Sequence, residues 1–370
     1  MCKKEVETIA VQAGNNRDKN KAISLPLYFS SNYRHDSLEE AKKFDPHTHY
    51  TYSRLSTPNR RLLEETLASL EQGTDAFALS SGMAAIQLAL SILKTGDQVI
   101  SLDDLYGGDF RYLHTHIGIN FELWNGQNID ELVDKLTHAT KIVWLESPSN
   151  PTMKEINVQE VAAAVHNYNP NIVVIVDNTF YTPIYQQPLV SGADVVVHSA
   201  TKYLSGHNDL LGGALITRRP ELAKYYYEYY IMTGDTLSSF DSWLLLRSLK
   251  TLAVRMKQHT ANARKIVKYL QESPHVEQVL YPGQGGMISF YLKKRGDVER
   301  LLNNVKMIAF AESLGGVESL ITIPYYQTHA DVEEAQRQRL GITPNLLRLS
   351  VGLENVRDVI KDLDQALNKT

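Results

Sequence analysis

Apolar positions along the chain follow two spacings. Short, nearly uninterrupted apolar runs at 76–79, 98–102, 141–145, 171–176 and 194–197 read as strands buried on both faces. Between them, apolar residues recur at helical intervals. Leu63, Leu67 and Leu70 follow Thr57-Pro58, an N-cap with proline at the first helical position, and Gly73 supplies a stop. Ile86, Leu90 and Leu93 share one face behind Ser80-Ser81-Gly82, with Gly96 beyond them, and Asn157 with Glu160 forms a capping box for a helix through His166. A single long helical stretch from Phe240 to Leu270 precedes a shorter mixed α/β region. Strands separated by helices predict a largely parallel sheet covered on both faces. The expected organisation is an extended N-terminal arm over 1–50, polar apart from residues 23–29. An α/β domain over 51–245 and a smaller C-terminal α/β domain over 246–370 follow it.

Composition narrows the functional classes. Of 370 residues, 43% are hydrophobic and 22% charged, which is globular and not disordered. With 38 basic against 42 acidic residues the net charge is −4, so no footprint for nucleic acid or an anionic membrane is expected. Cys2 is the sole cysteine, which excludes an internal disulfide and a cysteine-rich metal cluster. The N-terminal residues lack an apolar signal core and the stretch 84–93 is too short to span a bilayer, so the expected address is the cytoplasm. His47-Thr48-His49 and His114-Thr115-His116 each offer two histidines where zinc needs three or four ligands, so no metal is expected. The tyrosine-rich run 225–230 has no basic interleaving and reads as a helix packed on a domain or subunit surface.

In open α/β sheets ligands settle outside the carboxyl ends of strands, and three predicted strand ends carry polar residues. Ser81-Gly82-Met83 joins a strand to a helix, where backbone N–H groups and the dipole attract an anion; an ordinary Ser/Gly turn reads the same way. Asp177 closes the 172–176 run. Such an aspartate commonly satisfies a turn, but in a low-dielectric site it can face a cationic ring nitrogen and keep it protonated. Ser199-Ala200-Thr201-Lys202 follows the next strand, with two hydroxyls suited to a phosphate and an amine that could meet an aldehyde; alone, Lys202 could equally be solvated. Together these are the parts that a pyridoxal phosphate site requires. No P-loop motif occurs and no G-x-G-x-x-G follows a strand.

Residues 194–208, DVVVHSATKYLSGHN, resemble the cofactor-lysine signature of the cystathionine γ-synthase family, the fold-type I pyridoxal phosphate enzymes of cysteine and methionine metabolism. Satellite motifs extend the resemblance from Tyr52-Ser53-Arg54 to Leu346-Leu347-Arg348-Leu349-Ser350. It implies a mostly parallel seven-stranded sheet with a smaller C-terminal α/β domain, and pyridoxal 5′-phosphate as cofactor. In that likeness Lys202 binds the cofactor aldehyde covalently and shuttles protons, and Asp177 pairs with the pyridine nitrogen. Gly82, Met83, Ser199 and Thr201 take the phosphate, Tyr106 stacks on the ring and assists proton transfer, and Asn150 contacts the phenolic oxygen. Arg348 receives the substrate α-carboxylate with Ser313 nearby, and Glu312 lies with the substrate. Tyr52 and Arg54 reach the phosphate of a neighbouring subunit, so the implied assembly is a homotetramer with active sites shared across a dimer interface.

The reaction implied is γ-replacement on an O-acyl-homoserine by cysteine to give cystathionine, with sulfide as a further acceptor giving homocysteine. Glu312 in Glu312-Ser313-Leu314-Gly315-Gly316, followed by Thr328-His329, resembles the short bacterial synthases, although γ-lyases share it; typical β-lyases have tyrosine there. Cleavage of cystathionine by a γ- or β-lyase is the alternative. A non-catalytic regulator would be expected to lose Lys202, Asp177 or Arg348, and all three are present. Thr51, Thr57-Pro58-Asn59-Arg60, Gly108 and Asp109 depart from typical motifs of family members. Of these, Thr51, the 57–60 stretch and Asp109 are expected near the substrate entrance.

Overall fold

The structure, a computed structural model, describes residues 4–369 except 16–17, 43–44, 46–48, 116–117 and 331, so Cys2, His47, Thr48 and His116 fall outside the described residues. Seven strands, β1 (Asp75–Leu79), β2 (Gln98–Leu102), β3 (Asn120–Trp124), β4 (Thr140–Glu146), β5 (Val173–Asp177), β6 (Val195–Ser199) and β7 (Gly213–Thr217), form one sheet. Their order is β1-β7-β6-β5-β4-β2-β3. All neighbours from β6 to β3 pair in parallel, and only β7 runs antiparallel to the strands beside it.

The continuous apolar runs explain the centre of this sheet. Val173–Val176 of β5 are at most 1% exposed because helices cover both faces. On one face Ile100, Ile175 and Val197 pack with the helices Gly82–Leu90 and Val158–Tyr168. On the other, Val196 and Ile216 pack with the helices Pro58–Glu71 and Ser239–Leu249. Two expected caps are present: Thr57 accepts the Arg60 N–H at 3.2 Å, and Asn157 accepts the Glu160 N–H at 3.3 Å.

Several local expectations are corrected. Gln72, at φ 58°, takes the left-handed position at the end of the first long helix; Gly73 joins the stop through its N–H, which donates to Ala68 O at 2.8 Å, and a Cβ there would lie 2.4 Å from Ile216 Cγ2 on β7. The helix after Ser81 ends at Leu90, so Leu93 lies beyond it. The stretch 240–270 is two helices, Ser239–Leu249 and Leu252–Glu272. No glycine or proline marks that break. Buried Arg255 caps it instead, donating to Ser248 O at 3.0 Å and Thr251 Oγ1 at 3.1 Å. The arm is not wholly extended: it contains the short helices Val6–Val11 and Leu38–Lys42. It is also tied down, with Trp243 Nε1 donating to Leu25 O at 2.9 Å and Tyr28 N–H to Asn59 Oδ1 at 2.9 Å.

A smaller sheet is built from β8 (Val276–Leu280), β9 (Met287–Leu292), β10 (Ala309–Phe310), β11 (Leu320–Thr322) and β12 (Leu346–Ser350), in the order β10-β11-β12-β9-β8. Ile288, Phe290, Leu347 and Leu349 pack there against Ala263 and Ile266 of Leu252–Glu272 and against Val359 and Leu363 of the helix Val356–Asn368. The Leu252–Glu272 helix thus serves both bodies, because Leu252 and Met256 at its start belong to the core of the large sheet.

Candidate active site

The carboxyl ends of β4, β5 and β6 open onto a cavity of about 290 Å³, and β12 of the small sheet closes its far side. Gly82, Met83, Tyr106, Asn150, Asp177, Ser199, Thr201, Lys202, Glu312, Ser313 and Arg348 all line it. Tyr52 and Arg54 do not: Tyr52 is half exposed, and Arg54 donates to Ile231 O away from the cavity.

Ser81 caps the helix Gly82–Leu90, its side chain accepting the Ala84 N–H at 3.1 Å, and helix geometry leaves the N–H groups of Gly82 and Met83 for a ligand. The turn sits against backbone and strand on two sides. A Cβ at Gly82 would lie 2.9 Å from Ser199 Cβ, and one at Gly213 only 2.0 Å from Ser81 O. Thr201 Oγ1 is tied to Gly212, accepting its N–H at 3.0 Å and facing its carbonyl at 3.2 Å.

At the end of β5, Asp177 Oδ1 accepts the Thr179 N–H at 2.8 Å. Burial pushes this carboxyl above the usual range, against the Thr179 hydrogen bonds and nearby His198. Lys202 Nζ donates to Ser313 Oγ at 2.8 Å. Burial first, and then the Arg348 guanidinium, lower its amine to about 8, with Glu312 opposing them. Ser313 is held at φ 95°, in the left-handed region. Arg348, 2% exposed on β12, donates through Nη1 to Asn150 Oδ1 at 2.8 Å and through Nη2 to Ser313 O at 3.2 Å. Its Nε is buried and has no partner among the described residues. Burial brings its guanidinium down to about 10, still cationic at neutral pH.

Other residues of the site carry no obvious sequence signal. Glu146 ends β4 in register with Asp177 and accepts the Tyr106 N–H at 2.9 Å, which fixes the stacking candidate; a strand-end carboxylate just before Ser147-Pro148 was the available sign. Buried Asp104 accepts the Thr152 N–H at 3.2 Å and the hydroxyls of Ser149 and Thr152, bracing the loop that presents Asn150. Buried His329, kept below the ordinary histidine value by desolvation, is a neutral imidazole. Its Nε2–H faces the carbonyls of Leu105 at 3.1 Å and Asn150 at 3.2 Å, linking two walls of the cavity.

The departures from the family pattern are architectural where their side chains are described. Thr57 is the helix cap, Asn59 holds the arm through Tyr28 N–H and Pro26 O, and Arg60 holds the carbonyls of Ser53 and Leu237 at 2.7 and 3.1 Å. None of them, nor Thr51, lines the cavity of its own chain. Gly108 does line it, and a side chain there would meet the Tyr106 ring at 2.5 Å and Met83 Sδ at 2.9 Å. The side chain of Asp109 is outside the described residues.

These residues fit pyridoxal phosphate. A helix N-terminus offers donors to a phosphate, a buried carboxylate with a raised proton affinity suits a cationic partner, and a partly neutral amine lines the same cavity. Comparison with known proteins agrees. The family model described as "Cys/Met metabolism PLP-dependent enzyme" matches residues 7–368. The chain is 44% identical to a cystathionine gamma-synthase/O-acetylhomoserine (thiol)-lyase of Bacillus subtilis over 98% of this chain and 96% of that protein. It is 40% identical to a cystathionine beta-lyase of Lactococcus lactis over 98% of this chain and 99% of that protein. A crystal structure of cystathionine gamma synthase from Xanthomonas oryzae, in complex with aminoacrylate and cysteine, superposes with a TM-score of 0.92 at 36% identity, covering 98% of both chains.

Proposed function

The chain belongs to the Cys/Met metabolism PLP-dependent enzyme family, and from that membership we propose that it catalyses γ-replacement on an O-acyl-homoserine by cysteine, giving cystathionine. Its cofactor is pyridoxal 5′-phosphate (PLP). The observation that carries the synthase reading is the 44% identity to a relative named for that activity, together with Glu312 at the cavity. When bound, PLP supplies an electron sink for negative charge developing at the carbons of the substrate amino acid.

The protein's own groups do the rest. Gly82, Met83, Ser199 and Thr201 seat the phosphate, Asp177 holds a proton on the ring nitrogen, and Asn150 meets the phenolic oxygen. Arg348 has five N–H donors and spends two on Asn150 and Ser313, which leaves Nε and the remaining protons for the substrate α-carboxylate. Lys202 Nζ, with a proton affinity near neutrality, removes protons from the substrate's Cα and Cβ before the acyl group leaves and returns protons there after the thiol has added, and the Tyr106 hydroxyl assists. The exposed carboxylate of Glu312 orients the second amino acid at the cavity mouth. Sulfide, a smaller thiol acceptor, gives homocysteine by the same replacement.

Tyr52 and Arg54, outside the cavity of their own chain, complete the phosphate seat of a second copy, so the working unit is at least a dimer and the assembly a homotetramer. Among the described residues no helix is long and apolar enough to cross a membrane, and we place the enzyme in the cytoplasm.

The test is product analysis of the purified holoenzyme given L-cystathionine alone, and separately an O-acyl-homoserine with cysteine. Cystathionine made from the second mixture supports the synthase. Rapid 2-oxo acid and thiol release from cystathionine, with none formed from the ester, would make the protein a lyase, like its Lactococcus relative by name.

A further inference from the structure

We propose that Glu71 and His198 act as a positioning pair for Asp177, holding the end of the strand that carries it. The proposal rests on the reading of Asp177 as the partner of the cofactor's ring nitrogen. Glu71 is the last residue of the helix Pro58–Glu71. Its Oε1 accepts His198 Nε2–H at 2.7 Å and Asn178 Nδ2–H at 2.8 Å, and both members of the Glu71–His198 pair have side chains 1% exposed. Asn178 directly follows Asp177 and donates its N–H to Val197 O at 3.0 Å. His198 lies between Val197 and Ser199 on β6 and lines the cavity. One carboxylate therefore ties a helix end to the two strand ends that present Asp177 and Ser199.

Apolar packing alone gives no reason for a buried acidic side chain at this place. An acidic side chain is disfavoured at a helix C-terminus by the macrodipole, and the core on this face of the sheet is apolar, with Leu70, Leu189 and Val196 in one cluster. Glu71 Oε2, His198 Nδ1 and Asn178 Oδ1 are buried without partners among the described residues, and such groups are costly. A core that served only packing would be apolar here. Violations of a local rule concentrate where function needs them. Asp177 has that need: burial drives it towards the neutral acid, Thr179 opposes this through its hydrogen bonds, and His198 is the titratable neighbour that favours the anion.

The test is a double-mutant cycle read by PLP dissociation. Holoenzyme carrying Glu71→Gln or His198→Gln, each alone and combined with Asp177→Asn, is dialysed to equilibrium against PLP, with thermal unfolding as the check on folding. Each single change should weaken PLP about ten-fold, the scale of one hydrogen bond to a charged group. In the Asp177→Asn background the same changes should weaken it less than about two-fold. Equal effects in both backgrounds, or none in either, would overturn the pair. If Glu71→Gln does not fold, His198→Gln, which leaves Glu71 and Asn178 in place and removes only the imidazole, decides the matter by the same criterion. Asp177→Asn that binds PLP as tightly as the parent would instead overturn the ring-nitrogen assignment, and the pair with it.

Discussion

Mixing apoprotein with PLP across a range of pH values and following covalent capture should give a rate that rises with pH through a midpoint near 8. The reacting species is the neutral amine of Lys202, which burial and the Arg348 guanidinium bring down to about 8 from an ordinary 10.5. Lowering a lysine means that the neutral form appears at lower pH. At pH 8 about half the amine is free, against about 0.3% for an unperturbed lysine, an advantage of roughly 150-fold. Two substitutions separate the causes by sign. Arg348→Met removes a cation and leaves the burial, so the midpoint moves up, though short of 10.5. Glu312→Gln removes the opposing carboxylate, so the midpoint moves down, and only slightly because Glu312 is exposed. Stopped-flow absorbance, normalised to the reaction of PLP with a simple amine, reads all three. A parental midpoint at about 10 or above, or shifts of the same sign in the two variants, would refute this reasoning.

Other consequences follow from the packing and the expected assembly. Gly213→Ala places a Cβ 2.0 Å from Ser81 O, where both sides are backbone, so stability should fall by about 1–3 kcal/mol and PLP should bind more weakly; denaturant unfolding and cofactor titration of a parent-like variant would count against the phosphate seat. Arg54→Ala and Lys202→Ala proteins should each be inactive, yet after dissociation and joint reassembly should regain about one quarter of parental activity, because half of random dimers carry one intact site. Failure to regain any, with mixed oligomers demonstrated, would contradict sites shared between copies.

The centre of the molecule was legible because burial on both faces leaves a plain trace. β4, β5 and β6 are continuous apolar runs, and their carboxyl ends carry Asp177 and the Ser199–Lys202 turn, so fold and cofactor site appear in the same lines of sequence. Two other strands were harder. The edge strand β3 alternates exposed and partly buried residues before the buried Trp124, and β7, which opens on glycine, is held between β1 and β6 rather than by any local signal. The same holds within the site. Lys202 and Arg348 stand in recognisable motifs, whereas Glu146, Asp104 and His329 act through backbone groups of loops that come together only in three dimensions. Glu71 is still less visible, being an ordinary glutamate at the end of an amphipathic helix until β5 and β6 bring Asn178 and His198 to it.

The central claim is that Lys202 is the amine that takes the cofactor. Reducing the PLP-loaded protein with borohydride, digesting it and locating the pyridoxyl group by mass spectrometry tests this most directly. The group should be found on the peptide containing Lys202 and be lost in Lys202→Ala. A pyridoxyl group on another lysine, or none on a protein shown to be folded and exposed to PLP, would contradict the account.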